Sequence, residues 1–141
     1  MIGSLSANIQ AFIESLNFDF EFIPTVPHSE INQYQKQADL LFLAIPNVSF
    51  AKGILTGKLF EYLGTHHKIL AIGPEDGDIA DVLASCNAGK VFNRKNAEAV
   101  FVFLKTELDR FQNNLPSDVN KNAIQTFSRK YQAGQVEDLI D

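Results

Sequence analysis

Apolar residues along this chain recur with two different spacings, and the two spacings alternate from one end to the other. In residues 8–16 the apolar side chains are three, one and three positions apart, which predicts one face of a helix. In residues 19–23 acidic and apolar side chains alternate, which predicts a strand with one exposed face. The unbroken apolar run of residues 40–45 predicts a strand that is buried on both faces.

The rest of the chain continues this alternation. The pattern predicts further helices over residues 29–37, 57–65, 78–85, 97–111, 119–131 and 135–140, and further strands over residues 69–72 and 89–92. Strands that alternate with helices predict an α/β fold with a doubly wound, Rossmann-like parallel sheet. No linker or repeat divides the chain, so we expect one domain over residues 1–141.

In such a sheet ligands bind at the carboxyl ends of the strands. The loops that begin there contain residues 26–30, 47–58 and 74–78. We therefore expect these three loops to converge at one edge of the sheet, where their polar residues could form a site.

Composition narrows the classes of function. A hydrophobic fraction of 45% and a charged fraction of 21% are those of a soluble globular protein, and no apolar run approaches the roughly 20 residues that span a bilayer. A net charge of −5 argues against nucleic acid as a partner. Cys86 is the single cysteine, which excludes an internal disulfide and predicts a reducing, cytoplasmic location.

A candidate phosphate site opens the helix predicted at residues 57–65. The first N–H groups of a helix have no intrahelical acceptor and carry the positive end of its dipole, and Gly57 leaves room for an anion beside Thr56 and Lys58. Glu61 lies one turn deeper, where its carboxylate could accept hydrogen bonds from sugar hydroxyls. These residues suggest a nucleoside diphosphate. The alternative is an ordinary helix start with Thr56 as N-cap and with Lys58 and Glu61 solvated, and spacing alone favours that alternative.

Other nucleotide and metal motifs do not fit. Gly53 is too close to Gly57 for a P-loop, and Leu59 replaces the magnesium-binding Ser or Thr. His66, His67 and Cys86 lack the spacing of metal ligands, so we predict no metal site.

Two further polar sites have both a structural and a functional interpretation. His28 opens a predicted helix after a strand and could contact the base or the phosphates, or be an ordinary helix-start histidine. The carboxylates of residues 75–78 could bind a divalent ion or sugar hydroxyls, but they fit a turn better, with Asp78 as N-cap.

Residues 56–63 (TGKLFEYL) and 68–74 (KILAIGP) resemble the donor-binding helix and the following strand of GT-B glycosyltransferases, especially the family 4 retaining enzymes of bacterial surface-polysaccharide synthesis. Residues 26–43 and 127–130 are similar to other segments of that family in the same order. The resemblance implies the C-terminal half of such an enzyme, with a nucleoside diphosphate sugar as substrate, no further cofactor, and a saccharide or lipid-linked acceptor. It implies donor contacts from Thr56, Gly57, Lys58, Glu61 and His28, and it identifies no catalytic residue.

The chain also departs from that family. Gly53 stands where the family often has a second glutamate, eight positions before the ribose-binding one, and the N-terminal acceptor domain and the first strands of the donor domain are missing. We therefore expect no sugar transfer by the isolated chain, and the alternative is a non-catalytic module that binds a nucleotide or a partner chain.

The missing first strands of the donor domain also affect the oligomeric state that we expect. They predict a homodimer or association with the missing half. The alternative is direct pairing of residues 19–23 with residues 40–45 in a monomer.

Overall fold

The structure is a computed structural model that describes residues 1–140, with side chains through Glu137. Its contacts divide the chain into two compact units, Met1–Tyr34 and Gln35–Asp141, and the boundary falls within the second helix. Within residues 1–140 the α-helices are α1 (Ala7–Glu14), α2 (His28–Gln37), α3 (Gly57–Leu63), α4 (Asp78–Ser85), α5 (Ala97–Gln112), α6 (Lys121–Gln125) and α7 (Arg129–Ile140). The strands are β1 (Leu40–Ala44), β2 (Lys68–Ile72) and β3 (Gly89–Phe92). The expectation of one domain stays a prediction.

The first unit contains α1 close to its predicted position, but the predicted strand over residues 19–23 is wrong. Only Ile23 forms a β-bridge, parallel to Ile2, with its N–H 2.8 Å from the carbonyl oxygen of Met1. Phe20 and Phe22 nevertheless lie on one side of this segment, as the alternation of acidic and apolar residues predicts. Their rings are in contact, with centroids 5.1 Å apart. A strand also requires a hydrogen-bonded partner along its length. Here the partner is the short Met1–Gly3 segment, and beyond Ile23 it adds, among the described residues, only the bond from the N-terminal ammonium of Met1 to the carbonyl of Glu21.

The second unit is built on a parallel sheet in the order β1-β2-β3. Leu41 of β1 lies opposite Ile69 of β2, which lies opposite Gly89 of β3. Gly89 has φ +143°, and a Cβ atom there would lie 1.9 Å from the carbonyl oxygen of Ile69. Only glycine therefore fits this start of β3. The mixed α/β class and the parallel sheet are confirmed.

The two faces of this sheet are covered differently. One face packs with α3, α4 and α6 into a core that includes Leu41, Leu43, Ile69, Ala71, Val91, Leu59, Leu63, Leu83, Cys86 and Ile124. On the other face the ring of Phe92 meets Phe103 of α5, with centroids 5.4 Å apart. Phe42 of β1 points to that same face and is 56% exposed. The prediction that residues 40–45 are buried on both faces is therefore wrong for Phe42 and Ala44, because β1 is an outer strand and the Phe103 contact lies over β3.

Local structure explains the helix ends that we predicted wrongly from the sequence. The helix predicted over residues 119–131 is two helices, α6 and α7. The Thr126 hydroxyl donates to the carbonyl of Ala123 at 2.7 Å, and the Ser128 hydroxyl accepts from the N–H of Tyr131 at 3.2 Å. Such side-chain bonds compete with a continuous helix. Asp78 is also not an N-cap, because α4 begins at Asp78 and Gly77 occupies the cap position.

Candidate functional site

The segment predicted to hold a diphosphate forms the start of α3. Thr56 precedes the helix in an extended conformation, and its hydroxyl oxygen accepts a hydrogen bond from the N–H of Leu59 at 3.3 Å. Thr56 is therefore the N-cap, which is its ordinary structural role. The N–H groups of Gly57 and Lys58 precede Leu59, in the turn where a helix has no acceptor for them.

The surroundings of Gly57 are open. A Cβ atom at this position would have no heavy atom within 4 Å. Packing therefore does not require glycine here, and the room beside the helix start is available to solvent or to a bound group. The exposed side chain of Lys58 lies near Tyr62, with its ammonium nitrogen 5.9 Å from the ring centre.

Glu61 is half-buried, one turn into α3. Its carboxylate accepts a hydrogen bond from the side-chain amide of Gln35 at 3.4 Å. Gln35 is itself buried, and its amide oxygen has no hydrogen-bond partner in the part of the chain that the structure describes. Burial and, to a smaller extent, the charge of Glu61 raise the pKa of the neighbouring Tyr62. Tyr62 belongs to the core, so its role is in packing.

The predicted donor contacts fall in two places. Thr56, Gly57, Lys58 and Glu61 lie together on and beside α3, whereas His28 is the first residue of α2, in the unit Met1–Tyr34. Gly53 ends a short 3-10 turn, Ala51–Gly53, and a Cβ atom there would also have nothing within 4 Å. Packing therefore leaves room for a larger side chain at the position where the resembled family has glutamate.

A second feature is a cleft of about 600 Å³ at the carboxyl ends of all three strands. Two of its walls are the loops that follow Pro46 and Gly73, and the ammonium of Lys52 joins them by an ion pair of 2.6 Å with the carboxylate of Asp76. The hydrogen bond from Lys52 lowers the pKa of Asp76. The predicted convergence of these two loops is confirmed.

Close backbone packing shapes this cleft. A Cβ atom at Gly77 would lie 2.8 Å from the carbonyl oxygen of Lys52, and one at Gly73 would lie 2.6 Å from the Ile45 side chain. Larger residues at either position would push the loops apart, so glycine is required for the close approach.

The third wall of the cleft, residues 93–95, is not predicted by the sequence motifs. The guanidinium of Arg94 donates to the carbonyl oxygen of Ile45 at 2.6 Å, and the N–H of Lys95 bonds the side-chain oxygen of Asn93 at 3.0 Å. The sequence does contain a signal for this wall, because these polar residues directly follow β3 and the carboxyl ends of parallel strands share an edge.

Neither a metal cluster nor a membrane-crossing helix occurs in the described part of the chain. Within those residues, His, Cys, Asp and Glu form no group of three or more that could hold a metal ion. None of the helices described combines the length and the hydropathy that crossing a membrane requires.

Comparisons of the chain with protein-family models, with curated proteins and with solved structures gave no match.

Proposed function

We propose that this chain is the nucleotide-sugar-binding half of a GT-B glycosyltransferase, which holds a nucleoside diphosphate sugar for transfer to a saccharide or lipid-linked acceptor. The observation that carries the proposal is the arrangement of α3. A half-buried glutamate, Glu61, is held by Gln35 one turn below an unobstructed helix start at Gly57. The three parallel strands would then be part of a doubly wound, Rossmann-like sheet.

Each group on α3 has a distinct task in this proposal. Glu61 accepts hydrogen bonds from the ribose hydroxyls, which is the role that the sequence resemblance implies. The N–H groups at Gly57 and Lys58, with the Lys58 ammonium, stabilise the diphosphate as its negative charge develops on departure. An acceptor must be positioned by a second domain, so residues 1–141 by themselves would bind the donor and transfer no sugar.

Calorimetric titration with UDP, GDP and their sugar nucleotides tests the proposal. We expect weak, saturable binding of one nucleotide, reduced at least about tenfold in a Glu61→Gln, Lys58→Ala double variant because two charged contacts are lost. Glu107→Gln is the matched control, since Glu107 is also a half-buried helix glutamate, with an ion pair of 3.9 Å to Arg110. Absence of binding at millimolar nucleotide, or an equal loss in the control, would contradict the proposal.

A non-catalytic nucleotide- or partner-binding module is the second candidate, and Gly53 in place of the family's glutamate favours it. The same titrations separate the two. A donor-binding domain should bind the sugar nucleotide more tightly than the matching diphosphate, whereas a module without sugar recognition should bind both equally or neither.

We also propose that the chain forms a homodimer. Exposed apolar residues lie three, four and three positions apart on α5, namely Phe101, Leu104, Leu108 and Phe111. Apolar surface of this kind and the outer strand β1 both favour association, and two-fold symmetry is its commonest form. Light scattering at micromolar concentration should give twice the chain mass of 15.7 kDa. A Phe101→Lys, Leu108→Lys variant should be monomeric, and a wild-type mass that stays near the chain mass would contradict the dimer.

A further inference from the structure

Two cationic side chains in the cleft at the carboxyl ends of β1, β2 and β3 have unused hydrogen-bond donors. The guanidinium of Arg94 uses one nitrogen for the carbonyl of Ile45 at 2.6 Å, and its other N–H groups have no acceptor among the described residues. The ammonium of Lys95 likewise has no partner in the described part of the chain. Both residues line the cleft.

The carboxylates in the same cleft do not neutralise this pair. Asp76 is already bound to Lys52 at 2.6 Å, which leaves Glu75 as the remaining anion. The lining residues themselves carry two cations, Arg94 and Lys95, and two anions, Glu75 and Asp76. Lys52, which lies outside the lining, neutralises Asp76 through its ion pair and leaves an excess of one positive charge. This excess contrasts with the net charge of −5 of the whole chain. Such a local excess favours an anionic ligand.

The Arg94 side chain is also pre-positioned. Its bond to the carbonyl of Ile45 holds the guanidinium at the end of β1, so less conformational entropy is lost when a ligand binds. The residues that follow β1 and β2 at this edge include Pro46 and Pro74, which have no N–H to offer. At these two positions the backbone offers no donor, so side chains supply donors there for a bound anion.

We propose that this cleft binds the phosphate group of a small phosphorylated molecule, with Arg94 as a two-pronged donor and Lys95 as the second cation. The amides of Asn47 and Asn93 also line the cleft and could bond the hydroxyl groups of a sugar phosphate. None of the α3 residues assigned to the donor line it. The proposal is therefore a second site, independent of the donor-binding function.

Titration followed by nuclear magnetic resonance, with inorganic phosphate, glucose 1-phosphate and glucose as probes, tests the site. We expect saturable binding of both phosphate compounds and none of glucose, and tighter binding of glucose 1-phosphate if the amides take part. Arg94→Gln with Lys95→Gln should weaken binding at least about tenfold. Lys95→Gln alone should weaken it several-fold, and this variant removes no contact of the fold.

Two control variants determine whether Arg94 and Lys95 themselves account for the binding. Lys90→Gln removes an exposed charge on β3 outside the cleft and should leave phosphate affinity within about twofold. The Glu61→Gln, Lys58→Ala variant should also leave it unchanged. Absence of saturable binding up to about 10 mM phosphate, or an equal loss in the Lys90→Gln control, would overturn the proposal. Loss in the α3 variant instead would place the phosphate at α3 and would also overturn it.

Discussion

Charged side chains are paired differently at the two ends of the strands of the three-stranded sheet. The amino ends of the strands are here called the amino edge, and the carboxyl ends the carboxyl edge. At the amino edge, Lys68 pairs with Asp118 at 2.9 Å and also donates to the carbonyl of Asn87 at 2.7 Å, while Arg110 approaches Asp118 at 3.4 Å. At the carboxyl edge, Arg94 and the residue after it keep donors that no described residue accepts. The charged groups named at the amino edge are thus paired within the protein, whereas two cations at the carboxyl edge have no carboxylate partner among the described residues.

This difference indicates which charges support the fold. Asp118, in the segment after α5, is joined to the start of β2 by its ion pair with Lys68. Its partners also change its pKa. Partial burial raises the pKa of Asp118, but the hydrogen bond and charge of Lys68 and the charge of Arg110 outweigh it, so the pKa is lowered. Arg94 and Lys95 have no such carboxylate partner in the described part of the chain and contribute no such stabilisation. The proposed binding of a phosphate group gives a physical reason for two cations at the strand ends where parallel sheets bind ligands.

The largest expected effect is on the packing of the amino edge. Gly89→Ala would place Cβ 1.9 Å from the carbonyl oxygen of Ile69 in a left-handed conformation, and we expect the free energy of unfolding to fall by about 3 kcal/mol or more. Gly57→Ala is the control, since its Cβ would meet nothing within 4 Å, and it should change stability by less than about 0.5 kcal/mol. Urea unfolding measures both, and similar values for the two variants would show that the close approach of Gly89 to Ile69 does not constrain the packing of this edge.

A smaller effect should follow from removing the paired carboxylate. Asp118→Asn should lower the free energy of unfolding at pH 7 by about 0.5–1 kcal/mol, because the ion pairs are partly exposed. The lowered pKa of Asp118 sets the sign of the pH dependence. Its stabilisation is complete above the unfolded-state pKa and is lost as pH falls through the folded-state value.

The pH dependence of that variant has a direct measurement. Urea unfolding of wild type and Asp118→Asn between pH 7 and pH 2.5 should give curves that converge below about pH 4. Asp109→Asn is the control, because its carboxylate, on the same helix as Arg110, makes no side-chain hydrogen bond or ion pair among the described residues. A constant difference across the range would show that Asp118 does not act through its charge.

The smallest effect on stability is expected at the carboxyl edge. Arg94→Gln with Lys95→Gln removes one hydrogen bond and two unpaired charges, so the free energy of unfolding should change by about 0.5 kcal/mol or less. Thermal unfolding monitored by circular dichroism measures this change. A loss as large as that of Asp118→Asn would mean that both edges use their charges structurally, and the contrast between them would fail.

Much of the second unit could be predicted from sequence. The apolar run of β2, the helical spacing of α4 and the Thr56 cap gave elements close to those observed, because each depends on residues near in sequence. The proposed donor contacts on α3 came instead from the family resemblance, because spacing alone favours an ordinary helix start. Arg94 was missed because its bond to Ile45 joins residues 49 positions apart, and only the sheet brings them together.

The sequence by itself determined the α/β alternation, the parallel order of strands and helices, and the chemistry present at the start of α3. Only the tertiary structure decided that residues 19–23 form a single bridge, that Phe42 lies on an exposed face, and that three strand-end loops line one cleft. The physical reason is the distance along the sequence over which each property is determined. Periodicity and capping are local properties of the chain, whereas strand pairing, burial and the neutralisation of a charge depend on which distant residue arrives beside it.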